Sequence, residues 1–87
     1  LLKSARFQDN LEETEVLLDL ISRTEGSNAE LRFLEERFFL VLKKLAHKKY
    51  RDIYKAVYLK ATKIISREGA LQRLHSLNEV ALRRFNG

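Results

Sequence analysis

The side chains able to do chemistry in this chain are few. Its histidines are His47 and His75, and it has no cysteine. A transition-metal site needs three or four ligands, and neither histidine has others close by in sequence. His75 precedes Glu79 by four positions, so the two can meet on one helical turn. Its place off the apolar stripe reads more simply as a surface histidine. No Glu-x-x-His pair is present for a di-iron bundle. The carboxylates Glu12, Glu13, Glu15, Asp19, Glu35 and Glu36 read as scattered over solvated faces, where no cleft shifts a carboxyl toward acid–base work. There is no Gly-x-Ser-x-Gly, no phosphate-cradling glycine loop and no His-Glu-x-x-His. These residues predict a protein that binds rather than catalyses, without metal or cofactor.

Positive charge, by contrast, is concentrated. Lys43-Lys44-x-x-His47-Lys48-Lys49-x-Arg51 surrounds a joint between two helical segments. Lys55, Leu59 and Lys63 continue along the outer face of the segment that follows, and Arg83 and Arg84 close the last one. These ten residues (Lys43, Lys44, Lys48, Lys49, Arg51, Lys55, Leu59, Lys63, Arg83 and Arg84) are the candidate partner surface. Such cations can bind nucleic-acid phosphates, with affinity falling as salt rises. They can also touch an anionic cytoplasmic leaflet, at about 1 kcal/mol per Lys or Arg. The simpler reading is a solvated turn whose cations suit the C-terminal end of a helix. Tyr50, Tyr54 and Tyr58 form an i, i+4, i+8 row beside them. They could stack on bases, but their place on an apolar arc favours core residues with hydroxyls at the rim.

The charge is split along the chain. Residues 1–42 carry five Lys/Arg against nine Asp/Glu, and residues 43–87 carry twelve against three, which gives the net +5. The split suits an anionic partner for the second half. The simpler account is an acidic hairpin lying against a basic one.

Eighty-seven residues, 45% hydrophobic and 33% charged, make a single domain over 1–87 with a modest core. No apolar run approaches the ~20 residues of a membrane span, and the opening residues lack the apolar stretch of a signal peptide. Together with the missing cysteines, this points to a reducing cytoplasm. The chain opens on Leu rather than Met, which leaves room for it to be part of a longer one.

Four amphipathic segments must position these residues. There is no proline, and Gly26 and Gly69 stand where left-handed C′ residues would close helices. A first helix is expected over about 9–25, with Asn10 and Glu13 at capping-box spacing, or reaching back to Leu2. Its stripe is Phe7, Leu11, Leu17, Leu18 and Ile21. Ser27-x-x-Glu30 opens a second, over about 28–46, whose stripe is Leu31, Leu34, Phe38, Val41, Leu42 and Leu45. A third over 49–68 carries Tyr50, Ile53, Tyr54, Val57, Ala61, Ile64 and Ile65 as a compact apolar arc, with Tyr58 at its edge. A fourth over 70–85 has the stripe Leu71, Leu74, Leu77, Ala81 and Phe85, with Asn86-Gly87 as its stop. Short joints between such segments predict an all-α, antiparallel four-helix bundle. Phe33 and Leu40, seven apart, lie off the main stripe of the second helix. Either a neighbour on a second side covers them, or they form an oligomer or partner face, with a homodimer as one outcome.

With these residues in view, the chain resembles the immunity proteins of pediocin-like (enterocin-type) bacteriocins in length, charge and helix layout. Locally the likeness rests on Leu17-Leu18-Asp19-Leu20-Ile21, and on Leu71-Gln-Arg-Leu74-His-Ser-Leu77 followed by Ala81 and Asn86-Gly87. The resemblance implies a small four-helix cytosolic protein, loosely membrane-associated at most, that protects the cell without catalysis. Its implied partner is a membrane receptor of the sugar-permease type with bacteriocin bound, and the C-terminal half, here the basic one, would determine which bacteriocin is countered. A basic helical nucleic-acid-binding module and an oligomerisation or adaptor domain stand as the alternatives.

Overall fold

The computed structural model describes residues 2–24 and 28–86. Among them the chain forms four α-helices, α1 (Leu2–Arg23), α2 (Asn28–Leu45), α3 (Arg51–Ile64) and α4 (Glu68–Asn86), with a short 3₁₀ turn over Lys48–Tyr50 and no strand. This is the expected all-α four-helix bundle.

Successive helices run antiparallel, but the neighbours are not simply consecutive. α1 packs on α2 and α3, while α4 packs on α2 and α3. Phe7, near the start of α1, stacks on Tyr50, just before α3, with ring centroids 3.7 Å apart. α1 and α3 therefore start at the same end and run side by side in the same direction. The joint from α2 to α3 crosses that end of the bundle.

The core follows the periodic stripes. Phe7, Leu17, Leu18 and Ile21 of α1 pack with Phe38, Val41, Leu42 and Leu45 of α2, Tyr54, Val57 and Ala61 of α3, and Leu74, Ala81 and Phe85 of α4. Tyr54 meets Phe85 edge-on at 5.5 Å, an arrangement aromatic quadrupoles favour.

Several boundaries differ from the sequence expectation. α1 starts at Leu2, the earlier of the two expected starts, rather than near residue 9, and Asn10 lies in mid-helix. Glu13 does not cap; it pairs with Arg37 of α2 at 2.8 Å. The segment expected as one helix over 49–68 is the 3₁₀ turn followed by a shorter α3. His47, in extended conformation, opens that turn by accepting a hydrogen bond at Nδ1 from the Lys49 backbone N–H, 3.2 Å away. α3 stops because Ile65 adopts φ −75°, ψ 117° and drops its side chain into the core. Gly69 is therefore not a C′ residue but lies in the first turn of α4, which begins two residues earlier than expected. The Gly26 terminator, the Ser27 cap and the final Gly87 fall outside the described residues.

Burial corrects two further expectations. Glu35 is not on a solvated face: it is 1% exposed. It lies on the arc Leu31–Glu35–Phe38–Leu42, one turn from each apolar neighbour. Its Oε1 accepts from Nε and Nη2 of Arg67 at 3.0 and 2.8 Å, and Arg67 itself stays half-exposed in the α3–α4 joint. Thr14, also buried, donates its hydroxyl to the Leu11 carbonyl at 2.6 Å. α2 is indeed touched from a second side, but through Phe39, which is 1% exposed and has the Arg73 guanidinium over its ring at 5.1 Å. Phe33 and Leu40 stay 71% and 50% exposed, so a neighbouring helix does not account for them.

Removing one partner of a buried ion pair leaves the other charge without compensation, whereas replacing both by apolar groups is often close to neutral. Arg67→Ala should lower the unfolding free energy by about 2–3 kcal/mol. The double variant Glu35→Leu/Arg67→Met should recover most of that loss. Urea unfolding of the two variants measures the coupling, and equal losses in both would show that the pair does not hold the joint.

Candidate functional site

The bundle end where α1 and α3 begin and α2 and α4 finish gathers most of the positive charge. Lys43 and Lys44 occupy the last turn of α2 and Arg83 and Arg84 the last turn of α4. Lys48 and Lys49 sit in the 3₁₀ turn, Arg51 opens α3, and Lys55 follows one turn later. Eight of the ten residues expected from sequence thus converge at one end. Leu59 stands farther along α3 and is half-exposed, and Lys63, in the last turn of α3, lies toward the opposite end. Lys63 does not join the cluster because α3 carries it a further two turns from Lys55.

The structure adds Arg6 of α1, which lines a groove of about 390 Å³ with Phe7, Asn10, Lys44, His47, Lys49 and Tyr50. Charge patterning did not single it out, because Arg6 lies in the half that is acidic on balance. Its only available signal was the alternative start of α1 near Leu2, which brings its first turns up against the joint. Arg6 and the eight expected cations are all exposed. Among the described residues, none of these nine forms an ion pair.

Electrostatics divides them into two groups. Lys43, Lys44, Arg83 and Arg84 stand at helix C-termini, where the macrodipole favours cations. Lys48, Lys49 and Arg51 stand at the N-terminus of α3, where the dipole disfavours cations, and Arg6 and Lys55, each a turn further into its helix, gain nothing from it. Asp52 is the acid in the first turn of α3, and α1 has none in its own. The cations of this second group are not explained by helix stabilisation.

Pairing between the halves accounts for little of the charge split. Two pairs cross it among the described residues, Arg67 with Glu35 and Arg73 with Glu36. The other pairs, Arg37–Glu13 and Arg23–Asp19, lie within the first half. An acidic hairpin against a basic one therefore describes the layout but does not neutralise the basic half.

Apolar surface lies beside the cations. A groove of about 440 Å³ between α3 and α4 is lined by Tyr58, Leu59, Leu82 and Phe85, with Arg51 and Lys55 on its margin. A second, of about 320 Å³ between α2 and α4, runs from Leu77 and Val80 to Lys43 and Arg84. Leu59, Val80 and Leu82 are 50%, 48% and 44% exposed. The end can thus offer cations together with apolar side chains.

Of the tyrosine row only Tyr54 is buried; Tyr50 and Tyr58 are partly exposed at the rim. Tyr54 is 2% exposed, one face of Tyr50 is covered by Phe7, and the Tyr58 hydroxyl lies 2.7 Å from His75 Nδ1. His75 is thus tied to α3 rather than to Glu79. Among the described residues, no three His, Cys, Asp or Glu side chains are grouped to hold a metal ion. No helix among them is long and apolar enough to cross a membrane.

Burial, and secondarily the neighbouring Tyr58, pushes the Tyr54 phenol up from 10.0 to about 12. In the unfolded chain the phenol ionises near 10, so its contribution to stability is complete below pH 10 and is lost as pH rises toward 12. The difference in stability between pH 9 and pH 11 should be smaller in Tyr54→Phe than in the parent chain. Urea midpoints at the two pH values measure it, and an unchanged difference would contradict the burial of this hydroxyl.

Compared with known protein families, curated proteins and solved structures, the chain matches none.

Proposed function

We propose that this chain is a non-catalytic binding module that docks its basic end against the anionic cytoplasmic face of a membrane, beside a membrane-protein partner. The carrying observation is the group of exposed cations where α1 and α3 begin, without an ion pair among the described residues, unsupported by the local dipole and next to exposed Leu59 and Leu82. Each such cation contributes about 1 kcal/mol at an anionic leaflet, so several acting together give appreciable, salt-sensitive attachment. Leucines flanking the cations suit insertion at the headgroup boundary, where apolar burial adds to the electrostatic term.

The resemblance to pediocin-type immunity proteins supplies a specific form of this reading. The partner would be a sugar-permease receptor with bacteriocin bound, engaged from inside the cell through the basic C-terminal half. Nucleic acid is the weaker alternative, since Tyr54 is buried, Phe7 stacks on Tyr50 and the Tyr58 hydroxyl is engaged by His75, which leaves little free ring surface for stacking bases.

Expression in a pediocin-sensitive strain should raise survival, and Lys48→Ala/Lys49→Ala/Arg51→Ala should abolish the gain while leaving the fold intact by circular dichroism. Unchanged killing across several related bacteriocins would refute the immunity form. Co-sedimentation with phosphatidylglycerol vesicles tests the broader docking. Binding should fall at least tenfold between low and physiological salt and again in the triple variant. Equal binding to neutral vesicles, or tighter binding to single-stranded nucleic acid than to anionic vesicles, would overturn it.

A further inference from the structure

One groove at the basic end draws cations from three separate elements. Arg6 of α1, Lys44 of α2 and Lys49 of the 3₁₀ turn line it, with the stacked rings of Phe7 and Tyr50 as its wall, and it measures about 390 Å³. That volume falls in the ~300–1,000 Å³ range of small-molecule sites. No carboxylate is among its lining residues. Asp9 and Asp52, each three positions from one of these cations in sequence, do not line it.

The register of the first hairpin sets two of these cations against each other. Glu13 of α1 pairs with Arg37 of α2 at 2.8 Å, and the two helices are antiparallel. Seven residues back along α1 and seven on along α2, two turns toward the basic end, stand Arg6 and Lys44. Opposite charges thus meet at one level of the hairpin and like charges at the other. Arg6, Lys44 and Lys49 are exposed, and none of them forms an ion pair among the described residues. Pairing within the hairpin would be served by an acid at position 6 or 44, and an anion from outside supplies the same compensation.

Tyr50 holds the rest of the groove in place. Phe7 covers its ring at 3.7 Å, while Lys49 Nζ and the His47 ring lie 5.6 and 5.9 Å from its centroid. His47 uses Nδ1 to accept from the Lys49 backbone N–H, which leaves Nε2–H as the donor of the neutral ring. Asn10, half-buried on α1, adds a carboxamide with two further N–H donors. A guanidinium fork, two ammonium groups and neutral N–H donors around one groove match a small oxyanion of more than one charge, and phosphate above all.

We infer that this groove binds a phosphate monoester as its dianion, with the phosphate oxygens on Arg6, Lys44 and Lys49 and the organic stem along the Phe7–Tyr50 wall. A monoester carries close to two charges at neutral pH, whereas the diester phosphates of most membrane lipids carry about half that. A lipid headgroup such as phosphatidic acid and a soluble ester such as glycerol phosphate present the same chemistry. The lipid source rests on the docking proposed above and gives it a headgroup preference; the soluble source does not depend on it.

Amide chemical shifts of the full chain, titrated with glycerol phosphate at neutral pH and low salt, test the site, with succinate as a dianionic control. Shifts should saturate at residues 6, 10, 44 and 47–50, with affinity several-fold above that for succinate. Arg6→Ala and Lys49→Ala should each weaken binding about tenfold, the loss of one charge-assisted contact, with unchanged circular dichroism. Lys63→Ala, toward the opposite end, should leave it unchanged. Co-sedimentation with vesicles of equal surface charge separates the sources. A preference for phosphatidic acid over phosphatidylglycerol that Arg6→Ala removes identifies the lipid; no preference, with glycerol phosphate still bound, identifies the soluble ester. No saturation up to about 10 mM glycerol phosphate together with no preference for phosphatidic acid would overturn the site and leave docking of the basic end standing. Succinate binding as tightly as glycerol phosphate, or binding that Arg6→Ala does not alter, would overturn it as well.

Discussion

The contact between Glu35 and Arg67 is the constraint on which the rest of the arrangement depends. A carboxylate that is 1% exposed needs a cation, and among the described residues the one that reaches it comes from the joint between α3 and α4. That joint is thereby pinned to α2 at the bundle end remote from the cationic cluster. Ile65 enters the core beside it, and α4 then starts in a direction that lays it along α2. Replacing the pair with apolar groups could keep the stability, but a guanidinium fork on a buried oxygen allows fewer positions than a hydrophobic contact does. The pair thus fixes where the second hairpin sits on the first.

That position determines which charges meet. With α4 along α2, Arg73 reaches Glu36 and covers Phe39, and the cross-half pairs among the described residues are used at one end. The opposite end receives two helix C-termini with their cations, the 3₁₀ turn with its lysines, and the first turns of α1 and α3. Lys43, Lys44, Arg83 and Arg84 have a local reason to be there; Arg6, Lys48, Lys49, Arg51 and Lys55 do not. Repulsion among exposed like charges is modest in water and easily tolerated by a folded domain. The cost makes sense when an anionic surface is the working environment.

The helices were legible in the sequence because their apolar residues recur at three and four positions, and every stripe used for the four segments reaches the core in whole or part. Polar residues on those stripes were harder to read. Glu35 sits at a buried position on the same arc as Leu31 and Phe38, and composition alone cannot show that Arg67, far along the chain, will compensate it. Phe39 lies outside the single stripe read for α2, which omits the side that α4 covers. Element boundaries failed where tertiary contact decided them: Phe7 on Tyr50 accompanies an α1 that starts early, and Ile65 accompanies an α3 that ends early. Most of the cationic site was visible as a run around His47, since near neighbours in sequence stay near in space. Arg6 and the separation of Lys63 required the fold, because they depend on which helices start at the same end.

The most direct test of the basic end as the working surface is a residue-resolved footprint. Amide chemical shifts of the full chain, recorded with and without small phosphatidylglycerol bicelles, would locate the contact. The account predicts perturbations at residue 6, over 43–55 and over 82–86, with little change around Glu35, Arg67 and Arg73. Perturbations centred instead on the Glu35–Arg67 end, or spread evenly over the bundle, would contradict it.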